Sequence, residues 1–432
     1  MRPQRETASI EPVHFPYRLD RIQGDLIYRN GHVDFERCKG EHGPVNMPVK
    51  VATEGYCDFQ PDGRWLMHFE KLSVDQIRAD RELSQALPDR LKKAVAELNP
   101  TGAMNLRGSF DLERTGRPGE PLRSRWDMRV GLQQSSLQCG GILLENVCGE
   151  ASFRGAFDGQ HVRSRGELAL DSVSYKDYQL TRVMGPIWID DRRVLFGSWV
   201  DRPENGAAAS GVAGPAQTPR LLTARVFGGT LYGEGWVTLE ATPRYGMSVT
   251  LTDANLAECA REVIPGRRKL GGKILVTADL TGSGRTRNAL SGNGRITLSQ
   301  GNVYELPVMV SLLKILTINE PNQNGFSDGT LDYRIVGEHV YFDRIAFHGD
   351  AISLRGSGWM NFQSQIELTF YCLVGRGELD LPVIKQVVRA ASQQLMLIHV
   401  GGTLQNPDTR QEALPALNQA LQQLRGELEN RR

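Results

Sequence analysis

Residues 292–298 read GNGRITL, a Gly-x-Gly phrase followed by alternating apolar positions. The phrase returns as GEGWVTL at residues 233–239 and as GSGWMNF at residues 356–362. Each phrase predicts a tight bend that enters a β-strand, because glycine tolerates unusual backbone angles and side chains alternate faces along a strand. The alternation predicts that one face of these strands is buried. The six apolar residues assigned to that face are Val237, Leu239, Ile296, Leu298, Met360 and Phe362.

Glycine is abundant throughout the chain, with 46 glycines among 432 residues, against a usual share of about 7%. Short alternating runs are bounded by Gly, Asp or Asn, and the pairs Asn30-Gly31 and Asp158-Gly159 are typical of hairpin turns. Such short connections favour antiparallel meanders over alternating β-α-β units. The sequence therefore predicts a mainly β protein with minor α content, in which short amphipathic helices cover one face or the ends of the sheet.

Two stretches share an order of strand, short helix, Pro, Gly and new strand, and this similarity predicts a duplicated module. They cover residues 72–106 and 251–276, and Asp253 is the expected N-cap of the second helix. The apolar stretch 306–318 predicts a half-buried helix with Pro307 in its first turn, and residues 381–395 repeat that pattern. The predicted segments are an N-terminal β repeat at 1–120 with a helix at 75–98, a middle meander at 121–202, a flexible loop or linker at 203–219, a second repeat with a short helix at 220–289, a C-terminal domain at 290–407 and an amphipathic helix at 408–432.

Composition excludes several classes of partner and site. The net charge of +1 gives no general attraction to nucleic acid. No Cys-x-x-Cys pair occurs, and the eight histidines are scattered without metal-ligand spacing. Cys139 and Cys148 fit either a disulfide or two neighbouring strands. We expect no metal site and no nucleic-acid partner.

Catalytic motifs are also absent: the sequence contains no phosphate-binding glycine loop, zinc helix or nucleophile elbow. Asp332 with Asp343 is the best candidate for a pair of glycosidase carboxylates, with Trp236 and Trp359 as possible sugar-stacking residues. Solvated strand edges and ordinary packing explain the same residues. Asp171–Asp177 and Asp190-Asp191 lack the ligand pattern of a calcium loop, and turns explain them. We expect no cofactor and no enzymatic activity.

The ordered motifs between residues 290 and 407 resemble a known domain. An LSGNGRITL strand leads to GNVYELP and an apolar helix, then to GDAISL, LRGSGW and finally VGGTLQNP. This order is similar to the C-terminal domain of AsmA-type envelope proteins, which are related to TamB and other β-groove, bridge-like lipid-transfer proteins. The resemblance implies an elongated, curved sheet whose concave apolar face holds acyl chains.

The resemblance also implies a function, a location and partners. These are non-catalytic handling or transfer of lipids, a periplasmic or membrane-associated place in the cell envelope, phospholipid or another lipid as ligand, and a membrane or membrane-anchored partner. Proteins of that family typically carry one N-terminal membrane anchor, whereas residues 1–432 contain no apolar run long enough for a span and no signal peptide. Two alternatives stay open: a β scaffold or adhesin-like protein with a solid core, and a polysaccharide-active enzyme.

Overall fold

A computed structural model describes most of the chain. The described residues are 8–12, 16–87, 92, 95–96, 98–116, 122–139, 142–176, 178–202, 219–263, 270–284, 286–303, 307–315, 328–349, 352–374 and 395–412. They form two compact units. The first contains Met1–Arg225 and Tyr232–Tyr245, and the second contains Val226–Leu231 and Gly246–Arg432.

Strands dominate both units, and every strand pair described below is antiparallel, so the predicted mainly β class with minor helix is confirmed. The predicted curvature of the sheet stays a prediction. The strands mainly in the first unit are β1 Asp20–Arg29, β2 His32–His42, β3 Val49–Phe59, β4 Trp65–Ile77, β5 Met104–Arg114, β6 Arg123–Cys139, β7 Ile142–Phe157, β8 Val162–Tyr175, β9 Tyr178–Asp190, β10 Arg193–Phe196, β11 Leu222–Val226 and β12 Gly229–Thr238. Those mainly in the second are β13 Arg244–Asn255, β14 Gly271–Ser283, β15 Ser291–Asn302, β16 Asp328–Val336, β17 His339–His348, β18 Ile352–Asn361, β19 Ile366–Val374, β20 Leu395–Gly402 and β21 Pro407–Glu412.

Helix α1 spans Arg81–Ala86, between β4 and β5. The prediction of a helix from residue 75 was wrong at its start, because β4 stays paired with β5 as far as Ile77. Asp80 then ends the extended segment and caps the helix, and its carboxylate accepts a hydrogen bond from the Leu83 amide at 2.8 Å. Residues 92, 95, 96 and 98 are helical, and the positions between them lie outside the described residues.

Helix α2 spans Leu256–Val263, between β13 and β14, so both copies of the predicted module have the order strand, helix, strand. Its N-cap is Asn255, whose side-chain oxygen accepts from the Ala257 amide at 2.9 Å. The predicted cap Asp253 is wrong, since that residue still belongs to β13. It occupies a left-handed position within the strand, with φ of 56°.

Helix α3 spans Pro307–Ile315 and confirms the predicted apolar helix with proline in its first turn. The similar segment 381–394 lies outside the described residues. The helix predicted at 408–432 is wrong over its first residues. Pro407–Glu412 forms β21, which pairs with β20 and satisfies backbone groups that would otherwise be unpaired on that side of β20. The remainder of that prediction, residues 413–432, is not described.

Two short strands of the first unit, β10 and β11, pair with different parts of the same strand, β9. Strand β10 pairs with β9 at Ile187–Ile189, and β11 pairs with the same strand between Thr181 and Met184. Buried Pro186 lies between these pairings and has no amide hydrogen to donate, which suits a gap in the ladder. The segment 203–219, predicted as a loop or linker, lies between β10 and β11 in the sequence. Residues 203–218 of it lie outside the described part.

The Gly-x-Gly phrases lie inside β12, β15 and β18, so their prediction as bends entering strands was wrong. Several glycines of the sheet instead make room for a ring on the next strand. A Cβ at Gly155 would lie 2.5 Å from Trp126 Cζ2, and one at Gly356 would lie 2.6 Å from Phe370 Cδ1. A Cβ at Gly294 would collide with the Tyr333 hydroxyl. This arrangement explains part of the glycine excess.

Candidate functional site

An apolar row crosses the first unit. Strand register places ten residues directly beside one another on ten successive strand positions, and we call this set the apolar row. Its members are Phe35, Gly55, Phe69, Phe110, Trp126, Gly155, Ser164, Ile189, Val194 and Val237. Ser164 is the one hydroxyl in the row, and it accepts a hydrogen bond from Trp126 Nε1 at 3.3 Å. No unpaired polar side chain therefore interrupts the apolar row.

The rings of the row contact one another and stay partly exposed. The ring centroids of Phe35 and Phe69 are 5.5 Å apart, and those of Phe69 and Phe110 are 6.3 Å apart. Phe69, Phe110 and Trp126 are half-buried. The core cluster that holds α1 consists of other residues, centred on Tyr17 and Leu83. The row thus keeps apolar surface in contact with solvent.

At the β1 end of this face the exposure increases. Leu26 and Tyr28 are 47% and 70% exposed, and Phe59 is 53% exposed. Leu26 pairs with Phe35, so the apolar row continues onto β1. Exposed apolar residues that adjoin one another are uncommon on a monomeric surface and indicate an interaction site.

One face of the sheet in the second unit is covered by packed side chains. Ile345, Phe370 and Ile398 belong to one buried cluster, and α3 contributes Met309 and Leu312 to it. Leu312 and Ile398 are fully buried. This face has a packed core rather than an open apolar surface.

We expect Leu312→Ala to lower the free energy of unfolding by about 2–5 kcal/mol, because it leaves a cavity beneath α3. Val308→Ala on the same helix is the control, since Val308 is only half-buried and should cost clearly less. Thermal unfolding of the two variants measures the difference. Equal losses would contradict the position of α3 on the core.

The six residues predicted to line one apolar face lie in different surroundings in the structure. Val237 belongs to the apolar row of the first unit. Ile296 is half-buried on β15 of the second unit, where it pairs with Val276 and Leu331.

Of the other four, Leu298 is buried in the core of the second unit and Met360 packs against that core. Leu239 and Phe362 follow the ends of β12 and β18 and are 47% and 38% exposed. Sequence reasoning missed Phe35, Phe69, Phe110 and Trp126, because their alignment depends on the exact register between neighbouring strands.

The opposite faces carry charges paired across strands. Asp332 bonds with Arg295 at 2.5 Å, and Asp343 bonds with Arg334 at 2.6 Å. The hydrogen bond from Arg334 holds the pKa of Asp343 below its ordinary value. A glycosidase acid needs a raised pKa, so Asp343 lacks the electrostatics of the acid in the candidate pair.

The other predicted polar sites have structural partners. Trp236 lies 6.3 Å from Trp199 between ring centroids, and Trp359 Nε1 donates to Glu367 at 3.1 Å. Cys148 is a free thiol whose sulfur accepts from the Gln134 amide at 3.4 Å. Cys139 pairs with Ile142, so the two cysteines lie on neighbouring strands, the alternative to a disulfide.

Asp171–Asp177 and Asp190-Asp191 differ in structure. Residues 171–175 belong to β8, so the turn expected there was wrong over most of its length. Asp190 does form the expected turn, because its carboxylate accepts from the amides of Arg192 and Arg193, both at 2.9 Å.

His32 links two strands on the charged face of the first unit. Its Nδ1 lies 2.5 Å from an Asp58 oxygen, and its Nε2 lies 2.9 Å from an Asp34 oxygen. The hydrogen bond to Asp58, followed by that to Asp34, raises the pKa of His32 above its ordinary value of 6.5. Tyr56 stacks on the ring, with centroids 5.4 Å apart.

A raised pKa in the folded state means that protonated His32 stabilises the fold at pH values below 6.5, and that this stabilisation disappears as pH rises through the folded-state value. We expect His32→Gln to lower the melting temperature in acid and to match the wild type in base. Melting curves from about pH 5 to about pH 8 test this. Asp58→Asn should show the same pH trend, and a pH-independent difference for both variants would contradict it.

The described residues contain no group of three or more His, Cys, Asp or Glu side chains placed to hold a metal ion. Among the helices that the structure describes, none has the length and apolar character needed to cross a membrane.

A scan against protein-family models gives no match, and a search of curated protein sequences gives none either.

Proposed function

We propose that this chain binds the hydrocarbon chains of lipids on the apolar row of its first unit, and that it handles or transfers lipids without catalysis in the cell envelope. The observation that carries the proposal is the half-buried apolar row across ten strand positions. Its single polar side chain, Ser164, already has a hydrogen-bond partner. A surface of this kind favours a long ligand without polar groups.

The energetics favour an acyl chain. Shielding one methylene from water contributes about 0.8 kcal/mol, so a chain laid along the row gains from every carbon it buries. The half-buried rings of Phe69, Phe110 and Trp126 offer apolar area that hydrocarbon packs against without directional bonds. A phospholipid would leave its headgroup in water, and the row itself would give little headgroup selectivity.

The exposed residues Leu26, Tyr28 and Phe59 extend the same face at the β1 end and support contact with a membrane or a membrane-anchored partner. The AsmA-type resemblance of residues 290–407 supports the same function and an envelope location. The packed core of the second unit instead fits a supporting scaffold, so we assign lipid binding to the first unit.

Quenching of tryptophan fluorescence tests the proposal. Phospholipids with brominated acyl chains quench an indole that they touch, and Trp126 lies in the apolar row whereas Trp359 lies on the charged face of the second unit. We expect quenching in the wild type and in Trp359→Phe, and clearly weaker quenching in Trp126→Phe, where Trp65 is the tryptophan that stays on the same face of β4 as Phe69. Equal quenching of the two variants would remove the apolar row as the binding surface.

A further inference from the structure

The first unit also has a cavity of about 1300 Å³ on the face opposite the apolar row. Strands β2 to β8 supply its lining, which includes five basic and five acidic side chains. The basic residues are Arg37, Lys39, Lys71, Arg107 and Arg129, and the acidic ones are Glu54, Glu70, Asp127, Glu150 and Asp171.

Much of this charge is neutralised within the protein. Arg37 pairs with Asp25 at 2.8 Å, and Lys71 pairs with Glu54 at 2.9 Å. Asp127, at the edge of the lining, pairs with Arg154. These groups are therefore committed to structural ion pairs.

Arg107 and Arg129 differ from Arg37 and Lys71. They stand directly opposite each other on β5 and β6. Like charges in that relation destabilise a sheet. Arg107 has only a loose contact with Asp75 at 3.5 Å, and its side chain is 69% exposed. Within the described part of the chain, no carboxylate oxygen lies within ion-pair distance of the exposed Arg129.

A second pair of directly opposed arginines in the same unit provides a comparison. Arg154 and Arg165 also stand directly opposite each other, on β7 and β8. Each has its own carboxylate: Asp127 pairs with Arg154, and Asp201 lies 2.5 Å from Arg165. The Arg107 and Arg129 pair lacks equivalent neutralisation.

From this contrast we propose that Arg107 and Arg129 bind an oxyanion of the phosphate type inside the cavity. Two guanidinium groups on adjacent strands can each donate paired hydrogen bonds to one phosphate. Ser73 and Ser109 flank them in the lining and offer further donors. Glu70, Glu150 and Asp171 also line the cavity, from strands β4, β7 and β8, but none of them stands directly opposite another as the two arginines do.

The proposal goes beyond lipid binding on the apolar row, because the site lies on the other face of the strands and has different chemistry. The phosphate can belong to a soluble phosphomonoester or to a lipid headgroup. Calorimetric titration with inorganic phosphate and with glycerol phosphate tests the first source. Sedimentation with vesicles of phosphatidylcholine, with and without phosphatidylglycerol, tests the second.

The variant that tests the site is Arg107→Gln combined with Arg129→Gln. We expect it to weaken binding of phosphate, or of the phosphatidylglycerol vesicles, by at least about tenfold. The melting temperature without ligand should stay equal or rise, because a repulsive pair has been removed. Arg125→Gln is the matched control: it lies on β6, on the same face as Arg129, and outside the cavity lining.

Binding of the soluble phosphates identifies a soluble ligand, and binding of the anionic vesicles alone identifies a headgroup. Absence of both in the wild type, or equal affinity in the double variant and the wild type, would overturn the proposal. A lower melting temperature in the double variant would also overturn it, since the arginines would then have a structural role. Brominated-lipid quenching at Trp126 is independent of all these results.

Discussion

Phe110→Asp should remove most of the lipid that the wild-type chain retains. Phe110 lies in the middle of the apolar row, between Phe69 and Trp126 on the neighbouring strands. A carboxylate there would have to lose its water wherever an acyl chain covers it, and that loss costs several kcal/mol. We expect bound lipid to fall by at least about tenfold, which corresponds to roughly 1.4 kcal/mol. Lipid extraction and quantification after gentle purification measure the change.

Two variants serve as controls for this result. Phe110→Leu keeps the position apolar and should retain lipid. Ala156→Asp places the same charge on β7 next to Gly155 of the apolar row, at an exposed position on the opposite face and outside the cavity lining. It should also retain lipid. Loss of lipid in Ala156→Asp and Phe110→Asp to the same extent would show that the charge acts through general destabilisation and would contradict the site.

Gly294→Ala should be among the most destabilising single substitutions in the second unit. The added Cβ would collide with the carbonyl oxygen of Thr277 and with the hydroxyl of Tyr333. That hydroxyl donates to the same carbonyl at 3.1 Å. Relieving the collision requires separation of β14 from β15 or displacement of the ring. We expect a loss of about 3 kcal/mol, as for strong overpacking.

Thermal unfolding measures this effect, and a loss of that size should lower the melting temperature by roughly 6–12 °C. Gly233→Ala is the matched control from another Gly-x-Gly phrase. No atom lies within 4 Å of a Cβ built on Gly233, so the substitution should be nearly neutral. A similar melting temperature for both variants would contradict the explanation of the glycines as space for rings.

The class of the fold could be predicted from the sequence because alternation and turn residues are local signals. The hairpin at Asn30-Gly31 illustrates this: Tyr28 pairs with Val33 and Arg29 with His32 across it. The helix beginning at Pro307 could also be predicted from the sequence, since proline in a first turn followed by apolar residues is a local pattern.

Predictions failed where pairing across the sheet decided the outcome. Asp253 has a good capping side chain, yet strand pairing kept it in β13 and left the cap to Asn255. The three Gly-x-Gly phrases predict bends, whereas the reason for at least Gly294 and Gly356 lies on a neighbouring strand. Such requirements are invisible in the local sequence.

The candidate site was only partly predictable for the same reason. Alternation predicts an apolar side for each of these strands. It could not tell that Leu298 would be covered by the core with α3 while Val237 would join a half-buried row. That distinction depends on which faces meet a second layer, and period-two patterns contain no information on layers.

Native mass spectrometry of the gently purified full chain tests the central claim most directly. The account predicts phospholipid bound at a defined stoichiometry in the wild type and its loss in Phe110→Asp, with Phe110→Leu unchanged. A wild-type chain that is folded, stable and free of lipid after such purification, and that takes up none when mixed with phospholipid vesicles, would contradict it.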